Sequence, residues 1–284
     1  MLRCMTSAIA GLKANMTGLD VVGNNVSNVN TDSFKSSGVT FRDAMYQQLS
    51  AGSANSNNAA GMNPSQIGYG STASSVSVNT TKGGQNATGN ASDVYIDGSG
   101  YFVIGDSAKA ESGDTFSSVK YTRLGKLGVD SAGYLTDGNG NYVCNVTGTS
   151  PNYTYTAIKL DPGDGKAVAD IKDVSIGSDG KISYNNGVEV KSDKQITLAS
   201  FANPGGLEQV GNSYYTASDN AGTPSYITPG TNGTNKLITG ALEGSNVDLA
   251  TEFSNMIMFE RGYQANTKIV TVADECLQTL VNMK

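Results

Sequence analysis

The sequence has no histidine and no tryptophan among its 284 residues. Without histidine there is no Ser-His-Asp or Cys-His nucleophile and no zinc site built on imidazole. The three cysteines, Cys4, Cys144 and Cys276, are too far apart for a CxxC pair. Their odd number argues against a disulfide framework. Charge is scarce as well, at 15% of residues where an average soluble protein has roughly 25%. Nineteen basic residues against 25 acidic ones leave a net charge of -6 and no basic run. Such a chain is poorly suited to nucleic acid or to anionic membranes, which need clustered Lys and Arg. No stretch approaches the ~18 apolar residues of a membrane span. Arg3 is followed by no apolar run of signal-peptide type, so the chain is expected either to be cytoplasmic or to leave by a route that needs no cleaved signal.

Proline is missing from both ends: all six prolines lie between Pro64 and Pro229. Because proline is costly inside helices, this asymmetry predicts terminal helices around a turn-rich middle. The N-terminal segment carries two heptad series, Leu2, Ile9, Met16 and Met5, Leu12, Leu19, Val26, with Gly23 in step. A helix from Leu2 to Val29 would be about 42 Å long. Gly11, Gly18 and Gly23 each weaken it by roughly 1 kcal/mol relative to Ala. At the other end Ser245-Asn-Val-Asp248 reads as a capping box, with Asp248 at the positive end of the helix dipole. Leu249, Met256, Tyr263, Val270 and Leu277 then recur every seven residues, flanked by Phe253 and Val281. That helix would run about 57 Å from Val247 to Lys284. Paired with its ends level, it would set Cys4 opposite about residue 281, roughly 7 Å along the axis from Cys276.

The middle alternates. Val94 and Ile96 before Asp97-Gly-Ser-Gly100, and Tyr101 and Val103 after it, predict a hairpin. Similar turns stand at Asp130–Gly133, Asp137–Gly140, Ser178–Gly180 and Asn185–Gly187. The expected fold class is α+β: long N- and C-terminal helices in a coiled-coil-like pair, with an all-β, sandwich- or barrel-like middle domain. The expected organisation is a helical domain from 1–35 and 246–284, an extended connector over 36–75, and a β domain over 76–245 with a possible small insertion at 146–194.

Two motifs invite chemistry and fail. Gly68-Tyr-Gly70-Ser-Thr-Ala73 fits the dinucleotide fingerprint, but no apolar strand precedes it, and Ser74–Val78 alternates like a strand where a helix is required. Asp137-Gly-Asn139 opens like a calcium loop, yet Tyr142 and Gly148 occupy the positions that need Gly and Glu. No catalytic residue, cofactor or metal is expected. The two terminal helices remain. Either they form a hairpin that caps one domain, or they are assembly elements that stack with other copies. Their length and wide stripes favour assembly, through Leu2, Met5, Ile9, Leu12, Met16, Leu19, Val26, Leu249, Phe253, Met256, Tyr263, Val270, Leu277 and Val281.

Several blocks resemble one family. Val22-Gly-Asn-Asn-Val-Ser-Asn-Val-Asn-Thr31 with Phe34-Lys35 is similar to the N-terminal signature of flagellar rod and hook proteins. Asp93–Val103, Tyr121-Thr-Arg-Leu-Gly125 with Gly133-Tyr-Leu135, and Phe201–Leu207 resemble its central blocks. Gly240–Leu249 and Arg261-Gly-Tyr-Gln-Ala-Asn266 resemble its C-terminal signature. The matched signature residues are Gly23, Asn24, Asn25, Asn28, Asn30, Thr31, Phe34, Arg261, Gln264 and Asn266. Ser33 departs from the pattern, which usually has Gly there.

Met1-Leu-Arg3, Asn63–Gly68, Asn255-Met-Ile257 and Arg261–Gln264 look most like the hook type, with the distal-rod type as the alternative. The resemblance implies a structural subunit, not an enzyme, exported by the flagellar type III apparatus and located in the hook or basal body outside the cell. Its implied partners are itself, as a helical homopolymer, together with rod proteins, the hook cap protein and the hook–filament junction protein. Neither nucleic acid nor membrane insertion is implied. For the hook type the polymer is a curved tube acting as a universal joint. A secreted β-rich adhesin or glycan-binding module is the more remote reading.

Overall fold

The computed structural model describes residues 2–54, 60–105, 110–111, 115–116, 118–149, 152–161, 172–185, 190–230 and 235–283. They form two compact units, each discontinuous in sequence. The first takes residues 1–29, 36–79 and 247–284, and the second takes 30–35 and 80–246.

In the first unit, helix α1 spans Leu2–Ser27 and helix α2 spans Leu249–Asn282. The predicted stop and start signals hold to within two residues. Asp248 alone is the N-cap: its Oδ1 accepts from Ala250 N at 3.1 Å, and its Oδ2 accepts from Thr251 Oγ1 at 2.6 Å. Ser245 is therefore not the N-cap of a capping box, because the helix begins at Leu249, four residues after it. Both helix bonds hold the Asp248 carboxyl below its ordinary range.

Where a connector was expected, the chain folds back on itself as a two-stranded ribbon. Strand β1, Ser37–Asp43, pairs antiparallel with β4, Ser71–Val78, and β2, Tyr46–Ser50, pairs antiparallel with β3, Ser65–Gly68. Ala44 N to Gly70 O (2.7 Å) and Tyr69 N to Met45 O (3.1 Å) carry the ladder across the break between the two pairs. Gly70, with φ +102°, sits at that break, and a β-carbon there would lie 2.9 Å from the Ser7 carbonyl of α1. The dinucleotide-like Gly-x-Gly is thus the passage into β4, packed against a helix.

The second unit is almost wholly antiparallel β. Its largest sheet runs in the order 208–211, 214–216, 119–122, 101–105, 142–149, 152–157, 115–116, 110–111. Strand Tyr101–Gly105 is its hub and is buried at all five positions. The predicted hairpin across Asp97–Gly100 does not form. Strand Val94–Asp97 pairs instead with Lys236–Thr239, while Tyr101–Gly105 joins the large sheet. A strand covered on both faces has no polar side to alternate with, so the alternation read there was only half of a continuous apolar run.

The turns at Asp130–Gly133, Asp137–Gly140 and Ser178–Gly180 do connect paired strands. The turn at Asn185–Gly187 falls largely outside the described residues. Within the expected insertion at 146–194, Ile176, Ile182 and Tyr184 are fully buried in the same core as Phe102 and Leu198.

Ser33 has φ +60° and is buried, with its N–H donating to Glu243 O at 2.7 Å. A side chain in this left-handed region costs about 1–2 kcal/mol, which explains why the family pattern has Gly. Its hydroxyl also meets no partner among the described residues. Ser33→Gly is therefore expected to stabilise the second unit by about 1 kcal/mol, after subtracting glycine's greater unfolded-state entropy. Urea unfolding followed by circular dichroism tests this; a midpoint that falls would contradict the strain.

Candidate functional site

The helix pair of the first unit is built on a seam of small residues. Gly11 faces Asn266, Asn15 faces Gly262, Gly18 faces Phe259, and Asn25 bonds Glu252. In each pair the two residue numbers add to 277, so α1 and α2 run antiparallel in one register. A β-carbon would lie 3.0 Å from the Phe259 ring if added at Gly18, and 2.9 Å from Asn15 Nδ2 if added at Gly262. Each helix thus leaves a gap where the other has bulk. Gly11 and Gly18 weaken α1 locally but admit this close approach. Gly23 has nothing within 4 Å and has no such role.

The expected apolar stripes sit one residue away from the seam. On α1 the seam uses 11, 15, 18 and 25, and the stripe uses 12, 16, 19 and 26. On α2 the seam uses 252, 259, 262 and 266, and the stripe includes 253 and 263 beside it. One residue is about 100° of helix rotation, so the stripes are not what the two helices bury against each other. Ile9 and Met16 are 42% and 53% exposed, and Leu249, Phe253, Tyr263 and Val281 are exposed on α2. Met5, Leu12, Leu19, Val26, Met256, Val270 and Leu277 are half-buried, and the Leu2 side chain lies outside the described set. Ile257, Met258 and Ile269 enlarge the exposed apolar face of α2 beyond the predicted set.

The ribbon adds a face that periodicity missed. Phe41, Met45, Tyr46, Leu49, Ile67 and Val76 are exposed on it. Of these, Phe41 stands edge-on to Phe259 of α2, with ring centroids 5.8 Å apart. The signal available in sequence was the density of large apolar residues from Phe41 to Leu49, inside a segment read as polar connector.

The signature residues have separable roles. Asn25 is buried and behaves like a strand partner: Nδ2 donates to Ser37 O at 2.8 Å, and Oδ1 accepts from Ser37 N at 2.9 Å. Its Nδ2 also donates to Glu252 Oε1 at 3.0 Å. One side chain thereby ties α1 to β1 and to α2. Asn28 donates to Asn24 O and Asn24 Oδ1, both at 2.9 Å, closing the end of α1. Phe34 N donates to Thr31 O at 3.3 Å in the turn that follows, and Asn30 is exposed. Arg261 donates to Gln264 Oε1, and Gln264 to Glu260 Oε1, along the open side of α2.

In the second unit, three of the resembling blocks meet in one buried ion cluster. Glu243 is fully buried between Lys35 and Arg123, which are 2% and 3% exposed. Lys35 Nζ donates to Glu243 Oε1 at 2.5 Å and to Thr81 O at 2.8 Å. Gly83 N donates to the same Oε1 at 2.9 Å. Arg123 Nε lies 3.2 Å from Oε2 as an ion pair, and its Nη2 donates to Gly98 O. Burial pushes the Lys35 ammonium below its ordinary pKa, against the opposing pull of Glu243. The cluster clamps the segments around Lys35 and Thr81–Gly83, by which the chain enters this unit, to the strand Ala241–Glu243, by which it leaves.

Among the described residues no group of three or more His, Cys, Asp or Glu could hold a metal ion. No described helix is long and apolar enough to cross a membrane. Asp137, at the calcium-like motif, uses its carboxylate on its own turn: Oδ1 accepts from Asn139 N and Asn141 N, and Oδ2 accepts from Tyr214.

Residues 5–35 match the family described as flagella basal body rod protein. Residues 95–184 match the flagellar hook protein FlgE/F/G D1 domain, and 238–283 match the C-terminal family of the flagellar basal body rod FlgEFG proteins. The flagellar basal-body rod protein FlgG of Bacillus subtilis is 41% identical over 286 aligned positions, covering all of both chains. The chain belongs to the flagellar rod and hook protein family. Another rod and hook family member, the FlgG rod protein of Buchnera aphidicola subsp. Schizaphis graminum, is 31% identical over 95% of both chains. The FlgE hook protein of Treponema pallidum is 25% identical over an alignment of 473 positions. The rod and hook family is one of structural proteins, not enzymes.

Proposed function

We propose that this chain is a distal-rod subunit of the bacterial flagellar basal body. The observation that carries the reading is the fit in length. The Bacillus subtilis rod protein aligns over 286 positions to 284 residues, whereas at least 189 of the 473 positions aligned with the Treponema hook protein have no counterpart here. The hook type suggested by the terminal blocks is thereby the less supported of the two. The hook cap and hook–filament junction proteins go with that type and are not carried over.

On this reading the subunit leaves through the flagellar export apparatus, meets neighbouring rod and hook subunits, and polymerises with its own copies. The helix pair acts as a coiled-coil-like strut whose small-residue seam is internal to the subunit. Its exposed stripes, including Ile9, Met16, Phe253 and Ile257, face adjacent copies. Contiguous apolar surface of this kind marks interaction sites, and close apolar packing between copies suits a stiff shaft.

Electron microscopy of basal bodies from cells carrying this chain as their only distal-rod or hook gene separates the readings. Short straight tubes inside the basal body are expected; curved tubes beyond it would replace the proposal with the hook.

A further inference from the structure

The far end of the helix pair carries two thiols in one hollow. An apolar depression of about 550 Å3 is lined by Cys4 of α1 and by Lys268, Ile269, Val272, Ala273 and Cys276 of α2. The helix register places Cys4 opposite Ala273, the buried residue of α2, and not opposite the level end of the chain. Cys276 is then offset from Cys4 by three residues, about 4.5 Å along the axis. Both cysteines are exposed and stand at the open end of the line of positions that steps by threes and fours through 4, 8, 11, 15, 18, 22 and 25 on α1 and through 252, 255, 259, 262, 266, 269, 273 and 276 on α2, where the packing has already loosened and Ile269 is exposed too. The flanking Ala273 offers little bulk between them, and no disulfide joins them in this structure.

We propose that Cys4 and Cys276 of one subunit form a disulfide that staples the helix pair shut under oxidising conditions. With that axial offset, a lateral approach of the two Cα atoms to within about 5 Å completes the separation of roughly 4.4–6.8 Å that a disulfide spans, and Cys4 lies in the first turn of α1, where helices fray most readily and can supply that approach. The oxidant is an external disulfide, either a small molecule or carried by an oxidoreductase. One cysteine thiolate attacks it, forming a mixed disulfide and expelling one external thiol. The second cysteine attacks the subunit's sulfur in that mixed disulfide and expels the other. Two protein thiols lose their hydrogens, and the external disulfide is reduced to two thiols. Cys144 takes no part: it is fully buried, and burial pushes its thiol pKa up to about 12.

The test treats the full-length folded chain with oxidised glutathione, followed by peptide mapping and non-reducing electrophoresis. Two of the three thiols are expected to disappear, with a Cys4–Cys276 peptide and unchanged monomer size. Cys4→Ser and Cys276→Ser should each abolish that product, and oxidation in denaturing urea should cut its yield several-fold. Disulfide-linked dimers as the main product, two thiols still open to alkylation, or an equal yield from the unfolded chain would each overturn the staple.

Discussion

Glu243→Gln is expected to destabilise the β unit by about 3–5 kcal/mol, the cost of removing one member of a buried ion cluster. Glutamine keeps the shape and an oxygen for Lys35 Nζ. What it removes is the negative charge between two cations that are almost completely buried. Neither cation can reach water without opening the packing that covers it. Domains are stable by only about 5–15 kcal/mol, so much of the unit's stability is at stake. Urea unfolding followed by circular dichroism or tyrosine fluorescence measures it, since the chain has no tryptophan. Replacing all three partners with apolar residues of similar volume should recover most of the loss, because a well-packed apolar cluster is often as stable as the ion cluster it replaces. A loss below about 1 kcal/mol for Glu243→Gln would mean that solvent reaches the site.

Met16→Asp and Ile257→Asp are expected to abolish polymerisation while leaving the single chain as stable as before, within about 0.5 kcal/mol. Both side chains are more than half exposed in one subunit, so the new carboxylate costs little there. Once a neighbouring copy covers it, an unpaired charge costs several kcal/mol, repeated at every subunit. Leu12 and Met256 are less clean positions for this test, because they are already half-buried within the subunit. Sedimentation of the purified chain, together with electron microscopy of basal bodies, gives the two readouts. Normal tubes from both variants would remove the stripe from the assembly surface.

The terminal helices were legible because proline is absent from both ends and apolar residues recur every seven positions. The face on which they pair was not. Periodicity arguments count large apolar side chains, and this seam is made of Gly11, Gly18, Gly262 and asparagines, which score as breaks or polar positions. The same bias made the ribbon look like a connector: Ser74–Val78 alternates like a strand, but the rest of β4 is Ser-Thr-Ala, and no partner strand announces itself in Ser37–Asp43. The β turns were legible from Gly and Asp, but a turn signal does not say which strands pair across it, and Asp97–Gly100 misled for that reason. The ion cluster had no sequence signal as a site. Lys35, Arg123 and Glu243 are far apart in the chain, and only the resemblance marked their three blocks as belonging to one pattern.

The register of the helix pair also bears on when the first unit can fold. Asn25 and Glu252 are 227 residues apart, and every rung further toward the ends joins positions still more distant. Contacts of such high order form late, because the loop between them must close before they return any free energy. No part of the α1–α2 seam exists until the last segment of the chain is available. A nascent or threading chain can order its β unit first, while its two apolar helices stay apart and uncommitted. The paired face is therefore the last part of the first unit to form, because it needs both α1 and α2.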